Sequence, residues 1–313
     1  MNPKVWFRDQ KWGVFTHYTY VEQNDPDRVV NQGAGRTSWN ECADAFDVER
    51  FAAQLAETGA HYLMFTIMQA TKYLCAPNET YDRIIGAKPG EACCTRDLIG
   101  DLITALDRYG ISLFLYYTGD GPHCDPAAGE AMGFHDRYVV LNEKFLENWS
   151  SVAREYSLRY GDKIKGWWVD GCCKVHFNYN YNDHWLEYYV KAMKAGNKDA
   201  LLAFNNGVFE KVQFYTPLDD YLCGEMNYFE DIPETRFING VQWHTLAPIG
   251  VQPKGTDHAG WCRPGCKHSA EYMRDYVKKV NGKGGVVTID VALYRDGHIG
   301  AEQLAVLKAL KDL

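Results

Sequence analysis

Hydrophobic residues in this chain follow two alternating patterns. Short runs of almost continuous apolar residues are typical of parallel strands that are buried on both faces. Between them lie longer stretches with an apolar residue at every third or fourth position, which is typical of amphipathic helices. The runs predict strands at 13–18, 61–67, 111–118, 164–170, 200–205, 220–225 and 286–291, with a weaker candidate at 240–246.

Residues that favour helix ends bound several of the amphipathic stretches. Asp47 and Asp97 stand where an N-cap side chain would accept a backbone hydrogen bond, and Gly59 and Gly110 stand where the corresponding helices would end. Further helices are predicted from the apolar spacing of Phe145, Trp149, Val152 and Tyr156, from the stretch 185–194, and from Leu304, Leu307 and Leu310. Helices and strands therefore alternate along the chain.

This alternation predicts the α/β class. About eight strands with intervening helices, and no linker or shift in composition, favour a single-domain (β/α)8 barrel of the TIM type over residues 1–313. A doubly wound open sheet is the alternative, and the number of strands decides between the two. In a barrel of this type the active site lies at the carboxyl ends of the strands, which directs the search for functional residues.

Composition and charge exclude several classes of partner. The 313 residues include 41 acidic and 33 basic side chains, for a formal net charge of −8, and no basic run is present. We therefore expect neither nucleic acid nor an anionic membrane surface as a partner. No stretch approaches the roughly 18 apolar residues of a membrane span, and residues 1–8 have no apolar signal core. A cytoplasmic location is expected, or a periplasmic or secreted one if a leader has been removed.

Two acidic residues at predicted strand ends are candidates for chemistry. Asp170 ends the run Lys-Gly-Trp-Trp-Val-Asp-Gly at 165–171, where its carboxylate would point into the mouth of the barrel. The alternative is a turn, because Asp-Gly commonly follows a strand. Glu225 ends the run at 220–225, and its alternative role is that of a solvated loop acid.

Two carboxyl groups at the mouth of one barrel indicate glycoside hydrolysis. In the retaining mechanism one group attacks the anomeric carbon, while the other protonates the leaving oxygen and then activates water. The two groups must lie about 5–5.5 Å apart, a separation that two strand ends of a barrel can achieve. This chemistry needs no metal or cofactor, and a carbohydrate is the expected partner.

Four segments, spread over nearly the whole chain, carry a resemblance to a known family. Residues 11–18 read Lys-Trp-Gly-Val-Phe-Thr-His-Tyr, and residues 46–66 are similar to the family's first helix and second strand. Residues 96–118 are similar to its second helix and third strand, and residues 281–299 contain Gly-Lys-Gly-Gly followed by Asp-Gly-His-Ile. With these segments in this order, the chain resembles glycoside hydrolase family 29, the α-L-fucosidases.

The resemblance implies roles for individual residues. Trp-Val-Asp-Gly at 168–171 is similar to the family's Trp-Phe-Asp-Gly, whose Asp is the nucleophile, so Asp170 takes that role. Glu225 falls near the acid/base Glu of family members, with Glu210 and Glu230 as fallback candidates. The residues expected to bind the sugar are His17, Trp39, Gln69, Tyr117, Trp168 and Trp243.

The chain also departs from the family pattern at places that contact the sugar. Fucosidases end their second strand with Lys-His-His-Asp-Gly-Phe, whereas residues 68–73 here read Met-Gln-Ala-Thr-Lys-Tyr, and the family's Trp-Glu element appears as Trp-His at 243–244. A site built on hydrogen bonds discriminates strongly when they are missing. We therefore expect a retaining exo-glycoside hydrolase that cleaves a terminal α-L-fucosyl or related sugar. The alternative is a catalytically inactive carbohydrate-binding barrel of the same family.

Other polar residues keep two interpretations open. His258, Cys262, Cys266 and His268 offer four possible zinc ligands within a short stretch, although their spacing contains no Cys-x-x-Cys element. Scattered loop residues are the alternative, and the predicted site contains no metal. His123, His135 and His176 lie in or near the predicted mouth loops, where each is either a partner for a sugar hydroxyl or a solvated residue; these three are not among the expected sugar-binding residues.

Overall fold

The computed structural model describes residues 3–133, 141–172, 182–256 and 259–313. Within these residues the strands are β1 Trp12–Thr16, β2 Tyr62–Thr66, β3 Ser112–Thr118, β4 Ile164–Asp170, β5 Leu201–Phe204, β6 Phe237–Ile238, β7 Val241–Gln242, β8 His244–Pro248 and β9 Val286–Val291. The helices are α1 Pro3–Asp9, α2 Tyr20–Asn24, α3 Trp39–Ala45, α4 Val48–Thr58, α5 Glu79–Ile85, α6 Leu98–Asp107, α7 Pro126–Met132, α8 Glu143–Tyr160, α9 Asp183–Met193, α10 Ala270–Gly282 and α11 Ala301–Lys308. Two short 3-10 helices span Val29–Asn31 and Gly161–Lys163.

Seven of the described strands form one parallel sheet. Its order is β5-β4-β3-β2-β1-β9-β8, so successive strands lie side by side and the last strand pairs with the first. In the register of these pairs Phe15 stands opposite Met64 on one side and Asp290 on the other, and Thr118 stands opposite Asp170. Because the strands are parallel, their carboxyl ends share one edge, and the polar residues that follow them meet there.

The barrel prediction is confirmed only in part, because the strand expected at 220–225 does not form. That segment makes isolated bridges instead, from Tyr221 to Gln242 and from Glu225 to Leu246. Its backbone cannot stay extended, since Gly224 has a φ of 61° in the left-handed region. The described residues therefore contain a seven-stranded sheet, with an irregular segment bonded to β8 in place of an eighth strand.

Three of the four predicted helix caps are confirmed, whereas α6 ends three residues before Gly110, with Arg108 as its C-cap. The Asp47 side chain accepts from the backbone N–H of Arg50 at the start of α4, and Asp97 accepts from that of Gly100 at the start of α6. Gly59 ends α4 in the left-handed conformation that glycine adopts at low cost. No helix in the described ranges is long and apolar enough to cross a membrane.

Alternation along the strands divides the core into two layers. Tyr116 and Trp168 belong to an inner cluster enclosed by the curved sheet, whereas Tyr117 and Trp167 belong to the larger cluster between the sheet and the helices. Phe7 of α1 packs into the inner cluster against rings near the amino ends of the strands. The space at the carboxyl ends is thereby left for a ligand.

Candidate active site

Two adjoining cavities open at the carboxyl edge of the sheet. The inner cavity has a volume of about 250 Å³ and is lined by Phe15, His17, Glu22, Gln69, Tyr116, Trp168, Asp170, Glu225, Leu246, Trp261 and Cys262. The outer cavity has a volume of about 620 Å³ and shares five of these residues, Glu22, Gln69, Tyr116, Asp170 and Glu225. Both carboxyl groups predicted to be catalytic therefore lie where the two cavities meet.

Three hydrogen-bond donors surround the Asp170 carboxylate at the end of β4. The backbone N–H of Gly171 and the Asn205 Nδ2 both donate to Oδ1, each over 2.8 Å, and the Tyr116 hydroxyl donates to Oδ2. An ionised carboxylate acts only as an acceptor, and all three contacts use it in that way. The arrangement fixes both oxygens at the boundary of the cavities.

Glu225 has a different environment from Asp170. Burial of its carboxyl group, together with the negative charge of Asp170, raises the pKa of Glu225 from its ordinary value of 4.5 to about 8. A hydrogen bond from Asn205 acts in the opposite direction and is the weaker influence. At neutral pH, Glu225 is therefore the protonated acid of the pair.

Asn205 connects the two carboxyl groups, and sequence analysis did not identify it as a site residue. Its Nδ2 donates to Asp170 Oδ1 over 2.8 Å and to Glu225 Oε2 over 2.5 Å. Because both hydrogen bonds start at one nitrogen, the distance between Asp170 Oδ1 and Glu225 Oε2 cannot exceed the sum of the two hydrogen-bond lengths. That limit fits the roughly 5–5.5 Å separation of retaining glycosidases. The position of Asn205 directly after β5 is the sequence feature that could have identified it as a site residue.

A buried acid orients His17 at the end of β1. The His17 Nδ1 lies 3.1 Å from Asp290 Oδ1, and Asp290 Oδ2 accepts the backbone N–H of Cys262 over 3.0 Å. Since Nδ1 is held by a carboxylate, Nε2 is the ring nitrogen left for a ligand. Asp290, on β9, was another residue that sequence analysis missed.

Aromatic rings form the wall of the inner cavity. Trp168 stacks on Tyr116 with ring centroids 5.5 Å apart, and its Nε1 donates to the Cys223 carbonyl. Gln69 donates from Nε2 to the Tyr116 hydroxyl over 3.2 Å. Of the residues expected to bind the sugar, His17, Gln69 and Trp168 therefore line the cavity.

The other three residues expected to bind the sugar point elsewhere. Trp39 is in the core, where its Nε1 donates to the Leu74 carbonyl. The Tyr117 hydroxyl donates to the Trp149 carbonyl of α8, because alternation along β3 turns Tyr117 outward and its neighbour Tyr116 inward. Trp243 precedes β8, at the amino edge of the sheet, and packs closely over Gly285. Their assignment to the sugar pocket is corrected accordingly.

The fallback acids do not share the cavities with Asp170. Glu210 and Glu230 are exposed and line a separate surface hollow of about 710 Å³. Glu225, between them in the sequence, accepts a hydrogen bond from Asn205, which also donates to Asp170.

The four possible zinc ligands between residues 258 and 268 form no cluster within the part of the chain that the structure describes. His258 lies outside the described residues, and the remaining Cys262, Cys266 and His268 do not converge. Over the part of the chain that the structure covers, the group of potential ligands that does converge is His17, Cys262 and Asp290, whose ligand atoms lie within 4.8 Å of one another. Within this group, His17 Nδ1 and the backbone N–H of Cys262 each contact an oxygen of the Asp290 carboxyl group.

Sequence comparison identifies one family. The family model described as alpha-L-fucosidase matches residues 34–312. No curated protein matches the chain.

Solved structures share the fold. Alpha-L-fucosidase AlfC from Lactobacillus casei, in complex with α-L-fucose product, superposes with a TM-score of 0.65 at 16% identity, covering 100% of this chain and 98% of that one. The endo-fucoidan hydrolase P5AFcnA, from glycoside hydrolase family 107, has a TM-score of 0.71 at 15% identity, covering 100% and 93%. The related endo-fucoidan hydrolase MfFcnA4 has a TM-score of 0.71 at 14% identity, and 53% of its length is covered, so this chain spans about half of it. Because these identities are low, the structural similarity establishes a shared fold and nothing finer.

Proposed function

Because the chain belongs to the α-L-fucosidase family, we propose that it is a retaining exo-glycoside hydrolase that removes a terminal α-L-fucosyl or related sugar. The observation that carries the proposal is a pair of carboxyl groups joined through Asn205, one surrounded by donors and the other protonated at neutral pH. Retaining hydrolysis needs one carboxylate and one carboxylic acid about 5–5.5 Å apart.

The reaction would proceed in two displacements. Asp170 attacks the anomeric carbon and forms a glycosyl ester, while the bond to the leaving oxygen breaks and Glu225 transfers its proton to that oxygen. Glu225, now ionised, then removes a proton from water as the water attacks the same carbon. The ester bond breaks, which releases the sugar and returns Asp170 as a carboxylate and Glu225 as an acid.

Sugar recognition would rest on fewer histidines than in other family members. His17 offers Nε2 to a hydroxyl, and Trp168 offers an indole face to the C–H face of a sugar ring. Gln69 stands in the segment where fucosidases have their histidine pair; it lines the cavity and donates to the Tyr116 hydroxyl. This replacement is why the substrate is proposed as α-L-fucosyl or a related sugar.

The decisive experiment is a panel of aryl α-L- and β-D-glycosides, with NMR following the first anomer released from any substrate that is cleaved. We expect release of the retained anomer, and loss of turnover by roughly 10³-fold or more in Asp170→Asn. Glu210→Gln, which alters an exposed acid outside the cavities, serves as the matched control and should keep the original rate. Release of the inverted anomer, or an Asp170→Asn variant with unchanged turnover, would contradict the proposal.

A binding-only barrel is the second candidate, and the replaced histidines favour it. A binding protein has no need for an acid whose pKa is raised beside a carboxylate, so hydrolysis is the better supported of the two. Calorimetric binding of sugars, without cleavage of any glycoside in the panel, would identify the binding-only function.

A further inference from the structure

Three side chains that can bind a metal ion converge beside the inner cavity. His17 follows β1, Asp290 lies in β9, and Cys262 belongs to the segment between β8 and α10. One ring nitrogen of His17, the Sγ of Cys262 and one carboxyl oxygen of Asp290 lie within 4.8 Å of one another. The glycosidase mechanism uses the His17 ring and gives the Cys262 thiol no part, so the thiol is left for another role.

The separations within this group fit a single bound zinc ion. Two ligands that bind zinc at about 2.0–2.1 Å in tetrahedral geometry lie about 3.3 Å apart. His17 Nδ1 is 3.1 Å from Asp290 Oδ1, which is close to that value. The zinc–thiolate bond is longer, at about 2.3 Å, so a movement of roughly 1 Å at most brings the Cys262 Sγ into the same coordination shell.

Burial and ligand type also favour zinc. The three residues are 7%, 9% and 0% exposed, in the order His17, Cys262 and Asp290, and the first two line the inner cavity. An ion bound there has three protein ligands and one position open to the cavity for water. Thiolate and imidazole ligands select zinc over magnesium and calcium, which prefer oxygen, and the thiolate and carboxylate together balance its double charge.

The charge around the inner cavity does not oppose a cation. Its described lining residues include the acids Glu22, Asp170 and Glu225 but neither a lysine nor an arginine. Arg263 forms an ion pair with Glu22 over 3.3 Å, and the Lys267 ammonium donates to two backbone carbonyls. A divalent ion therefore enters a space whose wall carries carboxyl groups and whose neighbouring cations have other partners.

The backbone that carries the thiol is held by one of the other two ligands. Cys262 has a φ of 58°, in the left-handed region that a cysteine rarely adopts, and its N–H donates to Asp290 Oδ2 over 3.0 Å. Such a conformation persists only where the surroundings determine it, and it is most frequent at functional sites. The fold thus positions the thiol and the carboxyl group relative to each other before any ion binds.

We infer that His17, Cys262 and Asp290 form a zinc site that competes with the sugar for the inner cavity. The thiolate is the ligand, so binding releases the Cys262 thiol proton to solvent, and His17 binds through Nδ1 with its proton on Nε2. Zinc and a glycosyl ring exclude each other, because both use His17 and the cavity has a volume of about 250 Å³. The metal site goes beyond the proposed function, whereas its inhibitory effect rests on that function.

The first test uses cobalt as a spectroscopic probe and zinc as its competitor, on protein without an affinity tag. Co²⁺ bound to a thiolate has a charge-transfer band, and we expect about one equivalent to produce it and zinc to abolish it. Cys262→Gly removes the thiol and suits the left-handed backbone, so it should lose the band. Its affinity for zinc should fall by roughly 100-fold or more, because even the loss of a group that only supports a ligand costs 10- to 100-fold.

Two further variants separate this site from other ligand sets. Asp290→Asn keeps the shape of the side chain and removes its charge, so it should also weaken zinc binding. Cys266→Ala is the matched control, since this half-buried thiol lies outside the converging group, and it should keep both the band and the affinity. Loss of the band in Cys266→Ala, its persistence in Cys262→Gly, or no band in the unaltered protein would overturn the inference.

The second test measures competition with 4-nitrophenyl α-L-fucoside as substrate. Zinc should raise KM of the unaltered protein without a change in kcat, a chelator should reverse the effect, and the remaining turnover of Cys262→Gly should not respond to the same zinc concentration. Zinc that binds but leaves KM unchanged would overturn the competition. If no aryl glycoside is cleaved, the proposed function fails, and the cobalt band still decides the metal site.

Discussion

At the scale of single residues, Asp170 and Glu225 have the same functional group and differ in their surroundings. Asp170 accepts hydrogen bonds from three donors, whereas burial and the charge of Asp170 raise the pKa of Glu225 to about 8. Asn205 touches both groups, and its hydrogen bond lowers the pKa of Glu225 relative to what burial alone would give. Asn205 therefore influences the pH range in which the proposed acid holds its proton.

The pH dependence of an aryl glycoside reaction tests this influence. Because Glu225 must be protonated to act as the acid, kcat/KM should fall as the pH rises through about 8. In Asn205→Ala the hydrogen bond that favours the ionised form is lost, so the alkaline fall should move to higher pH as the overall rate decreases. Glu225→Gln is the control, since it should lose roughly 10²–10⁴-fold in rate and have no fall in this range. An alkaline limb that moves to lower pH in Asn205→Ala would contradict the role of Asn205.

At the scale of elements, residues 220–226 bring Glu225 to the site without forming a strand. The Leu246 N–H donates to the Gly224 carbonyl and the Met226 N–H donates to the Leu246 carbonyl, so the segment is bonded to β8 on both sides of Glu225. Gly224 permits this path, because a Cβ there would lie 2.0 Å from the His244 carbonyl oxygen. The local backbone thus determines where the acid lies.

Gly224→Ala should destabilise the protein more than an ordinary glycine substitution. A left-handed φ costs an alanine roughly 1–2 kcal/mol, and contact with the His244 carbonyl adds to this, so we expect a total loss of about 3 kcal/mol or more. Gly240→Ala is the matched control, because Gly240 has a φ of 80° but no atom within 4 Å of the added Cβ. Urea unfolding followed by tryptophan fluorescence measures both; equal losses would show that the contact with His244 is unimportant.

At the scale of the whole molecule, the seven parallel strands collect residues from distant parts of the chain at one edge. His17 follows β1, Asp170 ends β4 and Asp290 lies near the end of β9. His244, at the start of β8, is buried beneath them. His244 Nδ1 contacts the carbonyls of Leu222 and Cys223, and Nε2 contacts the Thr288 hydroxyl. A single buried imidazole therefore joins the irregular segment to β8 and β9.

Burial lowers the pKa of His244 from 6.5 to about 4, so the folded protein favours its neutral form. The unfolded chain takes up the proton first as the pH falls, and the stabilisation present above pH 6.5 is lost between 6.5 and 4. The free energy of unfolding of the unaltered protein, relative to His244→Gln, should thus decrease by up to about 3 kcal/mol over that range. The comparison with a variant removes the opposite contribution of Glu225, whose raised pKa makes stability fall as the pH rises from 4.5 to 8. If the difference in free energy of unfolding between the two proteins stayed constant from pH 6.5 to 4, His244 would not take up a proton on unfolding.

The sequence by itself determined the features that depend on neighbouring residues. Continuous apolar runs predicted β1 to β5 and β9 within a few residues, because strands buried on both faces need such runs. Asp47 and Asp97 predicted helix starts through local hydrogen bonds, and the family pattern predicted Asp170 as the nucleophile. Each of these signals lies within one element.

Only the tertiary structure decided the features that depend on residues far apart in the chain. Which of Tyr116 and Tyr117 faces the cavity depends on where the curved sheet has its inside, and the link from Asn205 to both acids depends on how β4, β5 and residues 220–226 pack. The Asp290 contact with His17 likewise requires the last strand to pair with the first. These contacts arise from strand order, register and burial, whereas a local pattern of residue types reports only the propensity of its own segment.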